Sequence, residues 1–107
     1  MSQPGTLERL EAIIAARRDA DPDSSYVAML NAKGLTKIAQ KLGEEATETV
    51  IAALAQDEKA LVGEAADLIF HLLVLLANKD IALAAVLAEL DRREGTSGIA
   101  EKASRKT

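Results

Sequence analysis

Five carboxylates are notable in this chain because of their spacing: Glu44, Glu45 and Glu48 form one group, and Glu64 and Asp67 form a second. Residues three or four apart share one face of an α-helix, so each group would present its carboxylates together. Like charges on one face destabilise a helix by roughly 0.2–0.5 kcal/mol per pair, and a hard divalent cation removes that repulsion. The pattern therefore predicts a cation site built by two neighbouring helices, suited to binding a polyphosphate.

Each acidic group also has an interpretation without a metal. The first group could simply form a solvated helix face. The second could interact favourably with the positive N-terminal end of its helix dipole. However, Glu64 and Asp67 lie beyond the first turn after Asp57 and share a face with apolar residues. Because ionised carboxylates are rarely buried unless they are paired or bound to a metal, the two groups together favour the metal site.

Basic residues near the acidic groups are candidates for binding phosphate. Lys41 lies one turn before the first group and points the same way, so it either pairs with those carboxylates or contacts a phosphate. The spacing alone favours neither role. Lys33 and Lys37 are weaker candidates of the same kind. Arg92 and Arg93 end the last predicted helix, where cations interact favourably with the helix dipole.

The composition restricts the class of protein. At 107 residues the chain has the length of one domain, and its single Phe, single Tyr and lack of Trp favour helices over a sheet. A net charge of −4 argues against a nucleic-acid-binding surface. The absence of cysteine excludes a disulfide framework and is typical of a cytoplasmic protein. Residues 1–10 lack the apolar core of a signal peptide, and the longest apolar run, 68–77, is too short to span a bilayer, so we expect no membrane partner.

Capping residues and apolar periodicity predict a small all-α bundle of four or five helices. We expect Thr6, Ser25, Asp57 and Asp80 to be N-caps, and Gly34 to end the second helix. The predicted helices span residues 7–18, 26–33, 35–55, 57–78 and 81–93, followed by a mobile tail over 94–107. Within helices, Gly43 and Gly63 suggest a close approach between helices. His71 is expected to be a core residue hydrogen-bonded to Asp67.

The acidic residues belong to a longer pattern that resembles a known family. The segment Lys41-Leu42-Gly43-Glu44-Glu45-Ala46-Thr47-Glu48, followed by Glu64-Ala65-Ala66-Asp67 and the apolar run to Leu76, is similar to the MazG-like all-α nucleotide pyrophosphohydrolases. Ser24-Ser25-Tyr26 and residues 90–93 make the phosphoribosyl-ATP pyrophosphohydrolase branch the most similar. The resemblance runs from about residue 7 to residue 93. It departs at Val27 and Met29, where the family commonly has Thr and Lys.

The resemblance implies a fold, a reaction and a set of site residues. We expect a MazG-like dimer through the long helices, which hydrolyses the α–β phosphoanhydride of N1-phosphoribosyl-ATP to N1-phosphoribosyl-AMP and pyrophosphate in histidine biosynthesis. Mg²⁺ would be the cofactor, and Glu44 would accept a proton from water or hold a second metal. The implied metal ligands are Glu45, Glu48, Glu64 and Asp67. The implied substrate contacts are Tyr26, Lys33, Lys37, Lys41 and Arg93.

Two other functions remain open from the sequence. The same site could belong to a house-cleaning enzyme that hydrolyses dCTP, dUTP or modified nucleotides. Alternatively, the chain could be a helical dimerisation or metal-binding module without turnover.

Overall fold

The computed structural model describes residues 4–105, and every regular element in that range is a helix. This confirms the predicted all-α fold. The six helices are α1 (Thr6–Arg17), α2 (Tyr26–Lys33), α3 (Leu35–Ala55), α4 (Glu58–Asn78), α5 (Leu83–Arg93) and α6 (Gly98–Ser104).

Helices α2, α3 and α4 begin, and α2 ends, at the predicted capping residues. The Ser25 hydroxyl accepts a hydrogen bond from the Ala28 N–H at 3.2 Å, and α2 ends at Gly34, whose φ of +96° favours glycine. Helix α3 starts at the next residue. The Asp57 carboxylate accepts from the Ala60 N–H at 2.8 Å and starts α4. Local side-chain chemistry therefore determines these boundaries.

Helix α5 begins two residues later than predicted, because its first N–H finds a partner on another helix. The Leu83 N–H donates to the Glu11 carboxylate of α1 at 2.7 Å. Asp80, the predicted cap, instead adopts a φ of +57° and accepts a hydrogen bond from the Arg18 guanidinium at 2.9 Å. The prediction of an Asp80 cap was therefore wrong, since it considered only local partners.

The two ends of the described chain also differ from the sequence-based prediction. Thr6 is the first residue of α1 and not its cap; Gly5 precedes the helix, and its N–H donates to the Glu8 carboxylate. Residues 98–104 form α6, a helix that we did not predict within the expected tail. Its Glu101 is buried against the preceding helix. A segment that moves can still be helical, so the mobility of this tail stays a prediction.

Helices α3 and α4 form a long antiparallel pair, connected only by Gln56 and Asp57, and the other contacts of the bundle are built on it. Helix α1 packs on α4, and α2 packs on α3. The apolar core lies where these four helices meet, with one contribution from the start of α5. Its buried members are Ile14, Val27, Leu30, Ile38, Leu73, Val74 and Leu83.

Part of the long helix pair remains uncovered in the single chain. The radius of gyration is 16.0 Å, whereas a compact chain of about 100 residues has a value of about 13 Å. Leu54 on α3 is 83% exposed and Val62 on α4 is 63% exposed. Apart from Leu35 at the start of α3, six large apolar residues are exposed on these two helices, and we call them the open apolar face: Val50, Ile51, Leu54, Val62, Ile69 and Leu72.

The two glycines inside the long helices do not mark a close approach within the chain. Among the described residues, a Cβ atom added at Gly43 or Gly63 would meet no atom within 4 Å beyond its chain neighbours and the nearby backbone of its own helix. Our expectation of close packing at these glycines was therefore wrong for the single chain.

Helix α4 is long and apolar enough to cross a membrane by length and composition alone. Only 17% of its most apolar stretch is buried in the single chain. This is weak evidence for a membrane, because core helices of water-soluble bundles have the same composition. The same helix also carries Glu64, Asp67 and His71.

Candidate metal and substrate site

Helices α3 and α4 bring three of the predicted carboxylates together. Glu45, Glu48 and Glu64 each contribute a carboxylate oxygen that lies within 4.8 Å of those of the other two. Glu45 is buried, Glu64 is half-buried and Glu48 is exposed, so the group opens to solvent on one side. Opposite oxygens of an octahedral Mg²⁺ site are about 4.2 Å apart, so small side-chain rotations would let all three bind one ion. We call these three residues the acidic cluster.

Thr49 joins the two helices at the level of the acidic cluster. Its hydroxyl lies 2.7 Å from the carbonyl oxygen of Glu45 and 3.2 Å from that of Glu64. The second contact links α3 to α4 beside two members of the cluster. Sequence reasoning missed Thr49, because a threonine inside a helix usually bonds only to its own preceding turn.

The electrostatics of the acidic cluster are those of crowded like charges. Burial raises the pKa of Glu45, and the adjacent Glu48 carboxylate raises it further. The pKa of Glu64 is also raised, first by its close contact with Glu48 and then by burial. Ionised at neutral pH without a counter-ion, the cluster opposes folding.

The donor atoms of the acidic cluster fit a divalent cation. The Oε2 atoms of Glu45 and Glu64 are buried and have no hydrogen-bond partner among the described residues. Unpartnered buried carboxylate oxygens are costly, and several such oxygens around one point are the ligands that Mg²⁺ or Ca²⁺ prefers. The cluster can therefore hold a hard divalent cation.

Acidification should show the repulsion in the cluster directly. Because the folded pKa of Glu45 is raised above its ordinary value of 4.5, its destabilising effect is complete above the folded pKa and disappears as the pH falls towards 4.5. Without metal, Glu45→Gln should therefore be more stable than the natural protein at pH 7, with a smaller difference near pH 5. Urea denaturation in the presence of a chelator measures both values. A difference that does not change with pH would contradict this account.

The other two predicted carboxylates lie outside the acidic cluster. Asp67 is exposed, and its charge contributes to the raised pKa values of Glu45 and Glu64, so it is near them. The Glu44 carboxylate accepts hydrogen bonds from Gln40 at 2.9 Å and Lys41 at 3.3 Å. These two bonds lower the pKa of Glu44, so it is ionised at neutral pH.

An open cavity of about 280 Å³ borders the acidic cluster. Glu48, Ile51, Gln56 and Glu64 line it. Pockets for small molecules usually measure about 300–1,000 Å³, so one chain alone offers little room for a nucleotide. Neither Ile51 nor Gln56 was among the predicted site residues; Gln56 follows α3 directly and gave no signal in the sequence. A larger cavity, of about 410 Å³, lies elsewhere, between α1 and the α4–α5 connection.

Lys41, Tyr26 and His71 adjoin the acidic residues. Lys41 pairs with Glu44, and this hydrogen bond raises the pKa of the lysine. Burial raises the pKa of Tyr26; the nearby charge of Lys41 lowers this pKa and the charge of Glu45 raises it. The His71 ring is buried and hydrogen-bonded to Asp67, as predicted, and its partner there is the backbone carbonyl oxygen. Aromatic and basic groups therefore lie beside the carboxylates.

The remaining predicted substrate contacts are less closely tied to the site. Lys33 is exposed at the end of α2, while the charge of Lys37 contributes to lowering the pKa of Glu44. Arg93 bonds to Glu89 at 2.9 Å and lies 3.7 Å from the buried Glu101 of α6. To contact a phosphate, Arg93 would have to exchange these partners.

A bundle whose two longest helices share a half-buried group of carboxylates defines an all-α protein with a candidate site for a divalent cation. Comparison with known proteins identifies the family. The model of the phosphoribosyl-ATP pyrophosphohydrolase family matches residues 7–94. The chain therefore belongs to the phosphoribosyl-ATP pyrophosphohydrolase family, a family of MazG-like all-α hydrolases of histidine biosynthesis.

Individual relatives agree with the family match. A phosphoribosyl-ATP pyrophosphatase of Novosphingobium aromaticivorans is 78% identical over 99 residues, which are 92% of each chain. One of Erythrobacter litoralis is 73% identical over 94% of this chain and 96% of its own length. A third, of Dinoroseobacter shibae, is 64% identical over 92% of this chain and 97% of its own. The match thus extends over nearly the whole chain, and the chain is an enzyme of this family.

Proposed function

We propose that this enzyme uses Mg²⁺ to hydrolyse the α–β phosphoanhydride of N1-phosphoribosyl-ATP, releasing pyrophosphate and N1-phosphoribosyl-AMP. The observation that carries the proposal is the acidic cluster, with its two unpartnered buried oxygens, in a member of this family. Glu45, Glu48 and Glu64, together with the nearby Asp67, would hold the ion. When bound, the ion supplies positive charge beside the anhydride and lowers the pKa of a bound water.

The surrounding residues would position the substrate and accept a proton. Glu44 is ionised and exposed, so its carboxylate can accept the proton of the attacking water. The Lys41 ammonium, one turn away, would bind a phosphate oxygen, with Lys37 and Lys33 adding positive charge further out. Tyr26 would contribute its aromatic ring at the edge of the site.

The proposal includes a homodimer in which a second copy covers the open apolar face. Val62, Ile69 and Leu72 recur on α4 at helical spacing, and Val50 and Leu54 lie one turn apart on α3. Exposed apolar surface of this kind is typical of an obligate interface. The cavity of about 280 Å³ beside the acidic cluster is also small for a nucleotide, so a partner copy would complete its walls.

A substrate panel tests the activity. Purified enzyme with Mg²⁺ should release pyrophosphate from N1-phosphoribosyl-ATP, and much more slowly from dCTP, dUTP or ATP. Faster hydrolysis of a deoxynucleotide would favour the house-cleaning function, and no pyrophosphate release from any nucleotide would refute the enzymatic proposal. We also expect the enzyme to be cytoplasmic, with no nucleic-acid or membrane partner, in keeping with its net charge of −4.

Replacing Lys41 should separate its two possible roles. If its ammonium binds a phosphate, Lys41→Ala should lower kcat/KM at least about tenfold, or about 1.4 kcal/mol of transition-state stabilisation. If Lys41 only pairs with Glu44, the kinetics should not change and the melting temperature should shift slightly. Steady-state kinetics distinguish the two, with Lys59→Ala as the matched control, an exposed lysine in the first turn of α4. Unchanged kinetics would remove Lys41 from the site.

A further inference from the structure

His71 is the buried polar residue beside the site to which the mechanism above gives no role. It is 4% exposed, and both of its ring nitrogens are engaged. Nδ1 lies 2.7 Å from the backbone carbonyl oxygen of Asp67, and Nε2 lies 2.9 Å from the Tyr26 hydroxyl. The imidazole therefore connects the backbone of α4 to the first residue of α2.

The chemistry of these two contacts determines where the hydrogens lie. A carbonyl oxygen can only accept, so Nδ1 must carry the hydrogen of the neutral ring. Nε2 then has a lone pair and accepts the hydrogen of the Tyr26 hydroxyl. As a result, the Tyr26 hydroxyl has no hydrogen left to donate to a phosphate.

The Tyr26 ring is held from two sides and open on another. It stacks on Phe70 with ring centres 6.1 Å apart and meets His71 edge-on at 5.7 Å. Even so, Tyr26 is 43% exposed. Its ring lies near enough to Lys41 and Glu45 for their charges to act on it. With its hydroxyl hydrogen engaged and one ring face stacked on Phe70, what Tyr26 can offer a substrate is the remaining apolar surface of its ring.

We propose that His71 is a positioning residue: it accepts the Tyr26 hydroxyl hydrogen and so holds the exposed face of the Tyr26 ring against the purine base of the substrate. Stacking suits this surface, because every purine presents a flat π-face on which an aromatic ring can pack. His71 would act only through Tyr26. The inference rests on the proposed function for the identity of the substrate, but the hydrogen-bond arrangement can be tested without turnover.

The first test uses the fact that the chain contains one histidine. Long-range proton–nitrogen NMR of the intact enzyme at neutral pH reports the His71 tautomer without ambiguity. We expect a protonated Nδ1 and an unprotonated Nε2. A hydrogen on Nε2, or a doubly protonated ring, would overturn the proposal, because the ring could not then accept from Tyr26.

The second test uses the single tyrosine and the absence of tryptophan. With excitation at a wavelength that phenylalanine does not absorb, the intrinsic fluorescence of the enzyme comes from Tyr26. Titration with AMP, which carries the base, should quench this fluorescence, whereas titration with pyrophosphate, which lacks it, should not. Equal responses to both probes, or none to AMP, would refute base stacking on Tyr26.

The third test is a double-mutant cycle followed by kinetics. His71→Leu should raise KM at least about tenfold and leave kcat within about threefold, because the Tyr26 ring is no longer held in place while the carboxylates remain. Tyr26→Phe keeps the ring but removes the hydroxyl through which His71 acts, so it should raise KM by a similar factor. The double variant should be no worse than His71→Leu alone, since His71 acts through the hydroxyl. Additive effects, or a fall in kcat at constant KM, would contradict the positioning role.

These readouts separate this inference from the proposed function. If the natural enzyme released no pyrophosphate from N1-phosphoribosyl-ATP, the proposed function would fail, while the NMR and fluorescence tests would still decide the roles of His71 and Tyr26. If turnover is normal but the tautomer is wrong, only the present inference fails.

Discussion

Glu45→Gln should reduce kcat/KM for N1-phosphoribosyl-ATP by at least about 100-fold, even at saturating Mg²⁺. The change removes the charge of a buried carboxylate that shares the acidic cluster with Glu48 and Glu64, while conserving its volume. Folding should not suffer. Because one of three crowded like charges is gone, the metal-free variant should melt at a higher temperature than the natural protein.

The effect of Mg²⁺ on the melting temperature tests directly whether Glu45 binds the ion. A ligand that binds only the folded state stabilises it by about 2.7 kcal/mol at 100 times its dissociation constant. Mg²⁺ should therefore raise the melting temperature of the natural protein and affect Glu45→Gln much less. Glu58→Gln is the matched control, since Glu58 is an exposed carboxylate in the first turn of α4. Activity near the natural level in Glu45→Gln would exclude Glu45 as a required ligand.

Asp67→Asn extends the same experiment to the carboxylate outside the acidic cluster. If Asp67 joins the cation when it binds, this variant should lose activity as completely as Glu45→Gln. Retained activity would restrict the metal ligands to Glu45, Glu48 and Glu64.

The combined substitution Leu54→Asp and Val62→Asp should convert the proposed dimer to a monomer. These side chains are 83% and 63% exposed in the single chain, so charges there should cost an isolated monomer little. In a dimer the same charges would be buried without partners, which costs several kcal/mol and should weaken association at least about 100-fold. Analytical ultracentrifugation of both proteins measures the effect.

The monomeric variant should also be less active than the dimeric natural protein. If a partner copy completes the wall of the cavity beside Glu48 and Glu64, the monomeric variant should lose at least about tenfold in kcat/KM. Ile99→Asp is the control, because Ile99 is an 86% exposed apolar residue on α6, outside the open apolar face. A natural protein that sediments as a monomer would refute the dimer.

The fold could be predicted from the sequence wherever its determinants are local. Ser25, Gly34 and Asp57 determine helix ends through contacts within three or four residues, and the predicted bounds of α2 and α3 agree with the structure. The start of α5 could not be predicted, because the N–H of Leu83 is satisfied by Glu11, 72 residues away.

The candidate site shows the same division between local and distant determinants. Helical spacing was enough to bring Glu45, Glu48 and Glu64 together once two helices paired. It could not distinguish Asp67, which lies on the predicted face yet outside the acidic cluster. Nor could it assign His71, whose partner at Nε2 is the hydroxyl of Tyr26, 45 residues away.

The Thr49 hydroxyl contact across α3 and α4 has a consequence for how fast the site can exchange its ion. Since a side chain joins the two helices beside the carboxylates, the ligands do not have to be gathered by a movement of the chain. Mg²⁺ gives up its own water reluctantly. If the acidic cluster binds Mg²⁺ as proposed, we therefore expect dehydration of the ion, and not rearrangement of α3 against α4, to be the slow step of metal entry. A more easily dehydrated cation such as Ca²⁺ should then enter the same carboxylates sooner.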